Sequence, residues 1–370
     1  MDYYYNHRAI YLDRTSHKTT CPECGRAKRF VNYVYEDGTP VADGICGRCD
    51  REQKCGYHYP PQDYFRDHRQ HSSFDSWKPS RRNRPTPPPE PTPTFFDTDM
   101  ALASMEHYER NRLAVFLHSC FDNLITPAEV DSILERYFVG TSNLYGGAPI
   151  FWRVDQWLNV RGGKIMGYKT DGHRTGETTW THYQPAYKEQ HPETYGKEYK
   201  LAQCYFGAHL LNEEFRSSDH HTPPIWLFES EKACLIVAMA LRWVGALDTF
   251  IPMACGSCGG FNPTEENKRK RYGSTRALKG SKVVLFPDEG KFQDWHDKGL
   301  LLQGYSKEVY ISPIMEASIN PDPYKPQAEI NEGDAFDDLI LSYIKQGKSV
   351  DDMCKLIIAS YGWHNTNKLV

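Results

Sequence analysis

The sequence predicts an α/β protein: a domain on a short parallel sheet, preceded by a mixed α+β segment and an N-terminal zinc ribbon. Three observations predict it. The first is Ile225-Trp226-Leu227-Phe228, four large apolar residues between Pro223-Pro224 and Glu229-Ser230-Glu231-Lys232. An apolar run that short, closed by breakers, reads as a strand buried on both faces. Apolar residues resume at Ala233, with Ser230 placed to cap them as a buried helix. The second is the echo Lys282-Val283-Val284-Leu285-Phe286-Pro287-Asp288-Glu289-Gly290, again an apolar strand ending in a carboxylate. The third is Cys21-Pro22-Glu23-Cys24-Gly25 with further cysteines at 46, 49 and 55.

Length and composition bound the reading. At 370 residues the chain has room for two or three domains and a sizeable core. A net charge of −4 gives no global field for nucleic acid, although a local basic groove remains compatible with it. No run approaches the roughly 18 apolar residues of a membrane span, and Met1-Asp2-Tyr3-Tyr4-Tyr5 does not open a signal peptide. Eleven cysteines without a signal point to reduced thiols, the clustered ones on metal, and so to a cytoplasmic protein.

In the N-terminal segment, Cys-x-x-Cys-Gly forms a knuckle whose backbone N–H groups face the thiolates, which suits tetrahedral zinc. Arg29 to Gly38 alternates apolar and polar residues and ends in Asp37-Gly38, a strand entering a hairpin turn. Free structural cysteines are the weaker reading, because so small a segment has little core without a metal. Six candidates, Cys21, Cys24, Cys46, Cys49, Cys55 and His58, compete for four places. Spacing alone favours Cys46 with Cys49 as the second pair; Cys49 with Cys55 is the alternative.

From His71 to Thr94, prolines and Arg81-Arg82-Asn83-Arg84 make a semi-rigid, extended tether. Asp97 to Tyr137 reads as helical, with Thr126 an N-cap before Pro127. Pro149 to Asp155 and Gly163 to Lys169 read as paired strands, followed by a further segment, Tyr199 to Gly207. Arg153, Arg161, Lys164, Lys169 and Arg174, interleaved with Trp152 and Tyr168, form a pattern able to grip a nucleic-acid strand by charge and stacking. A half-exposed sheet accounts for the same pattern.

Beyond Glu229, Thr249 to Ala254 and Val309 to Ile311 supply two more strands, and Asp334 to Tyr361 a helical stretch expected to pack outside or serve a partner. Cys255 and Cys258 have no second pair, so their loop is read as a glycine-rich turn. The basic run Lys268-Arg269-Lys270-Arg271 precedes the Asp288 strand and is placed for phosphate, though such runs are usually solvated faces. Strand-end carboxylates suit magnesium or manganese, hard cations that keep waters and bind substrate phosphates. Glu229 and Asp288 are the expected primary ligands, with Glu231, Glu289 or Asp294 completing the site and Lys232 contacting a phosphate. If Glu229 and Glu231 only favour a helix N-terminus, Asp288 is left unexplained.

This arrangement resembles a Toprim domain, which carries a glutamate after its first strand and an Asp-x-Asp after its third. The matching residues are Glu229 in Leu227-Phe228-Glu229-Ser230-Glu231-Lys232 and Asp288 in Leu285-Phe286-Pro287-Asp288-Glu289-Gly290. Zinc module, linker, mixed subdomain and Toprim is also the order of bacterial-type primases. The chain is similar as well to zinc-finger/Toprim proteins of Bacteroides-type mobile elements, through Gly47-Arg48-Cys49-Asp50-Arg51-Glu52, Cys55-Gly56-Tyr57-His58-Tyr59, Val160 to Tyr168 and Phe206 to Leu211.

The resemblance implies a zinc ribbon over 1–70, a linker over 71–95 and a primase-like mixed subdomain over 96–220. A Rossmann-like Toprim sheet over 221–315 and a helical tail over 316–370 complete it. It implies Cys21, Cys24, Cys49 and Cys55 on zinc, with Cys46 the substitute. It implies Glu229, Asp288, Lys232, Glu289 and Asp294 in a magnesium-dependent site, and single-stranded DNA held by Arg153, Arg161, Lys164, Lys169 and Lys268 to Arg271. The function implied is DNA replication: a nucleotidyltransferase making primers from ribonucleoside triphosphates, with a helicase as a partner and no membrane. A Toprim nuclease or a degenerate DNA-binding protein are the alternatives. The chain departs from the pattern at Gly290, where the second aspartate belongs, and the short helical tail after the sheet is not expected to form a primase-style helicase-binding domain.

Overall fold

The computed structural model describes residues 10–13, 15, 17–51, 54–67, 92–185, 199–213, 223–257, 259–316, 333–360 and 369. Most of the proline-rich tether, and Cys258, lie outside the described residues. The chain forms two compact units, 1–87 and 88–370.

In the first unit, strands β1 (Ile10–Leu12), β2 (Phe30–Tyr35), β3 (Gly47–Cys49) and β4 (His58–Tyr59) form an antiparallel sheet in that order. Along β2, Phe30, Asn32 and Val34 point inward while the residues between them face out, the period-2 alternation the sequence carries. The chain turns at Gly38, whose φ of +80° suits glycine. A seven-residue helix, α1 (Pro61–Asp67), follows the last knuckle.

The second unit opens with α2 (Thr98–Ala103), α3 (Arg112–Cys120) and α4 (Pro127–Arg136). Thr126 and Glu129 close a reciprocal capping box at α4, with Pro127 at its first position. An antiparallel meander follows: β5 (Val139–Thr141), β6 (Pro149–Val154), β7 (Val160–Tyr168) and β8 (Arg174–Trp180). The sequence showed β6 and β7 but not the polar edge strand β8. Every residue of β6 and β7 is buried, so this is no half-exposed sheet. Tyr199 to Gly207 is not a strand; only Phe206 pairs, with Ala254.

The second sheet is wholly parallel. Its strands β9 (Ile225–Phe228), β10 (Ile251–Ala254), β11 (Lys282–Leu285) and β12 (Glu308–Ile311) lie in the order β10-β9-β11-β12. Helix α5 (Glu231–Trp243) is apolar nearly all round because the sheet, α4 and the C-terminal helix over Phe336–Lys345 pack against it. Helices α6 (Glu265–Arg269) and α7 (Phe292–Leu300) connect the later strands. The C-terminal stretch forms α8 (Phe336–Lys345) and α9 (Val350–Ser360). Far from an outer appendage, it joins the core: Phe336 stacks on Phe286 at 5.3 Å, and Leu339, Ile340, Met353 and Leu356 are buried. Among the described residues, no helix is long and apolar enough to cross a membrane.

Candidate metal and phosphate site

In the order β10-β9-β11-β12 the chain winds away from β9 in both directions, so the β9/β11 boundary is the switch point of the sheet. Crevices open there beyond the carboxyl ends of the strands. Glu229 follows β9 and Asp288 lies three residues past β11, so two adjacent strands present both carboxylates at one edge. Asp288 is pushed up to about 7, by burial first, then by Glu229, Asp337 and Asp338, with Arg174 opposing. Such a shift marks negative charge gathered without enough positive charge to match.

Two of those acids come from helix α8, which sequence reasoning did not connect with the site. Asp337 is buried, and neither carboxylate oxygen has a hydrogen-bond partner. Lys232 Nζ lies 3.1 Å from its Oδ2 and 3.8 Å from Asp338, so these contacts act by charge rather than by an aligned hydrogen bond. Lys232 therefore faces carboxylates and not an open phosphate position. The only available signal was Asp337-Asp338 in the first turn of a helix, which reads as ordinary dipole compensation.

The remaining expected ligands make contacts of their own. Asp294 pairs with Lys298 at 2.7 Å along exposed α7. The Glu289 N–H donates to the Asp334 carbonyl, and the Gly290 N–H to Glu316 Oε1 at 3.2 Å. Glu231 is fully buried on the other side of Glu229. It accepts from Arg153 Nη2 and from Lys164 Nζ at 3.2 Å, while Arg153 Nη1 donates to Ala254 O and Lys164 Nζ to Gly256 O at 2.8 Å. Burial alone would raise Glu231, but Arg153 and Lys164 outweigh it and hold the carboxyl below its usual range. Glu231 is thus the anchor of a buried ionic triad. Its replacement by Gln leaves two desolvated cations facing an amide; we expect about 3–5 kcal/mol of destabilisation in urea unfolding.

This triad shapes the loop after β10. The Gly256 N–H donates to Glu229 O at 2.7 Å, tying the loop to the residue that bears the carboxylate. Gly256 has a φ of +85°, and a Cβ there would fall 1.9 Å from Arg153 Nη2. Gly256→Ala combines backbone strain with a clash in the triad, and about 2 kcal/mol or more of stability should be lost in the same measurement.

A cleft of about 470 Å³ opens beside Glu229, walled by Arg153, Lys164, Arg174, Trp180 and Tyr205. Three cations from the antiparallel sheet and two aromatics therefore surround one carboxylate. The other basic residues take different positions. Arg161 is buried against Asp155 at 2.6 Å and lies under the rings of Phe95 and Tyr272, out of reach of a surface strand. Lys268 bonds Leu301 O and Glu265, and Lys270 pairs with Glu266. Lys169 and Arg269 are exposed, and exposed Arg271 lies over the Tyr272 ring.

In the first unit, the thiols of Cys21, Cys24, Cys49 and Cys55 lie within 4.8 Å of one another, and Cys46 lies outside that group. Cys21 and Cys55 are 3.8 Å apart and Cys24 and Cys49 4.0 Å, close to the roughly 3.8 Å edge of a tetrahedron with 2.3 Å zinc–sulfur bonds. The Arg26 N–H holds Cys24 down at about 6. At Cys55 the Tyr57 N–H favours the thiolate, but burial and the neighbouring thiols push it up to about 12. Four thiols at these distances could hold one tetrahedral metal ion.

Residues 8–70 match the model of a zinc beta-ribbon finger, and residues 111–289 match a domain of unknown function, DUF6371. No curated protein matches. Among solved structures, the RNA polymerase domain of Mycobacterium tuberculosis primase DnaG, in complex with double-stranded DNA, shares 12% identity over 70% of this chain and 78% of its own, with a TM-score of 0.37. The primase fragment of the bacteriophage T7 primase-helicase shares 12% over 80% and 90%, with a TM-score of 0.31. The E. coli primase catalytic core shares 11% over 67% and 81%, with a TM-score of 0.33.

Proposed function

We propose that this chain is a primase-like, divalent-metal-dependent protein acting on single-stranded DNA, with a Toprim-type site at the β9/β11 edge. One observation carries the reading: Glu229 and Asp288 follow adjacent parallel strands at the switch point, and Asp288 is raised to about 7 by burial first and then by the negative charge of Glu229, Asp337 and Asp338. Carboxylates gathered in this way fit a hard cation. Glu229 and Asp288 would hold magnesium or manganese, with Asp337 and Asp338 adding negative charge behind them. The ion supplies charge neutralisation and orientation at a reacting phosphate.

The chain's own groups perform the rest. Arg174 draws phosphate oxygens into the cleft, Arg153 and Lys164 are held behind it by Glu231, and Trp180 and Tyr205 give it apolar walls for a nucleoside. The Arg153–Glu231–Lys164 triad fixes the Gly256 loop, and through it the backbone of Glu229. Lys169, Arg269 and Arg271 remain as surface contacts for a strand, and the zinc ribbon as a tethered template reader.

Incubating the protein with single-stranded DNA, labelled ribonucleoside triphosphates and magnesium or manganese tests this. Short labelled oligomers are expected. Cleaved DNA instead would make it a nuclease using the same carboxylates. Binding with neither product would make it a non-catalytic reader, the reading favoured by Gly290, which offers no carboxylate where the pattern has its second aspartate.

A further inference from the structure

A second cleft, of about 480 Å³, is lined by Trp157, Asn212, Glu213, Arg276, Lys279 and Ser281, among others, with two cations outnumbering its one carboxylate. Gly280 and Ser281 lie just before β11, so this cleft sits at the amino edge of the parallel sheet, opposite the carboxylates. Asp288 lies seven positions beyond Ser281, at most about 23 Å along an extended chain.

The turn between β6 and β7 is built to present Trp157. Its ring is 46% exposed, in a turn that is otherwise fixed from beneath. Asp155, fully buried, accepts from the Trp157 and Asn159 N–H groups at 2.9 Å, from the Asn159 side chain, and from Arg161. Leu158 is held at a φ of +64°, a conformation that leucine avoids. Asn212 Nδ2 donates to Gln156 O at 3.0 Å and ties the opposite wall to the turn. A buried ion pair, a strained leucine and a cross-link thus hold one indole in water. Arg276 and Lys279 border the same cleft, and among the described residues neither has an ion-pair partner.

We propose that this cleft is a second nucleic-acid contact, in which a base of a single strand stacks on Trp157 while Arg276 and Lys279 take the flanking phosphates. A π face beside two unpaired cations matches one nucleotide unit, and an exposed indole accepts any base. The contact lies outside the metal site and stands whether or not that site is catalytic. An extended strand several nucleotides long reaches from one cleft towards the other.

The test is fluorescence anisotropy of a labelled mixed-sequence 20-mer with the full-length protein and no added magnesium or manganese, so that the chemistry of Glu229 and Asp288 plays no part. Trp157→Ala should weaken binding by roughly tenfold or more, and Trp157→Phe should keep most of the affinity. Arg276→Ala with Lys279→Ala should weaken it and reduce the salt slope by about 1–1.5, the value for two single-strand phosphates. Unchanged affinity in Trp157→Ala, or equal losses with duplex DNA, would overturn the contact. Displacement of the 20-mer by millimolar mononucleotide, dependent on Trp157, would make it a nucleotide pocket and overturn the strand assignment.

Discussion

Asp288→Asn is expected to reduce metal-dependent turnover at least about a hundredfold and to remove a pH step from metal binding. Asp288 is held at about 7 by burial and by the neighbouring carboxylates of Glu229, Asp337 and Asp338. An aspartate in the unfolded chain titrates near 3.9. Between those values the folded protein binds the extra proton, so without metal the contribution of Asp288 to stability is fully present below about pH 4 and is lost as pH rises to about 7. Metal binding runs the other way. Below pH 7 the ion must displace that proton, so affinity should rise about tenfold per pH unit up to about 7 and then level off. Calorimetric magnesium or manganese titrations from pH 5.5 to 8.5 check this. A midpoint independent of pH between 5.5 and 7 would remove Asp288 from the ligand set. Glu229→Gln should abolish the same turnover and also lower the Asp288 pKa, since Glu229 is the largest of the like charges acting on it. A lowered pKa with full turnover would leave Glu229 a neighbour and not a ligand.

Where the sequence was legible, a single local rule sufficed. Ile225-Trp226-Leu227-Phe228 and Val283-Val284-Leu285 are strands because three or four apolar residues between breakers have few other options, and Ser230 and Thr126 cap helices because their side chains reach backbone N–H groups. What stayed hidden depends on contacts distant in sequence. Arg153 and Lys164 looked like a basic face, because nothing near them in sequence shows that Glu231, 78 and 67 residues away, neutralises them. Asp337 sits in the first turn of a helix, where an acid is unremarkable in sequence, and only the stacking of Phe336 on Phe286 brings α8 against the sheet. β8 escaped notice because Arg174 to Trp180 is a polar edge strand, whose pattern comes from solvent on most of its length. The separation of Asp294 from the site follows from the phase of α7, where it meets Lys298 one turn on.

The zinc ribbon supports the second large effect. Its buried apolar residues, chiefly Phe30, Val34 and Val41, are too few to order some 60 residues unaided. Its fold is therefore expected to depend on a metal ion held by Cys21, Cys24, Cys49 and Cys55. Structural zinc in such small modules contributes an apparent 10–16 kcal/mol near neutral pH, which here amounts to folding free energy. Full-length protein should carry one zinc by elemental analysis. Stripping it with a chelator should collapse amide-exchange protection along β2 and β3 while the parallel sheet, in a separate compact unit, keeps its own. Cys24→Ser should reproduce the stripped state. Cys46→Ser separates the two readings of the spacing: Cys46 is buried outside the four-thiol group, and burial raises its thiol above the usual value. If the closing knuckle is Cys49 with Cys55, the variant keeps its zinc and loses only packing. If it loses the metal, the ribbon closes through Cys46, and the spacing of the second Cys-x-x-Cys outweighs the geometry of the folded module.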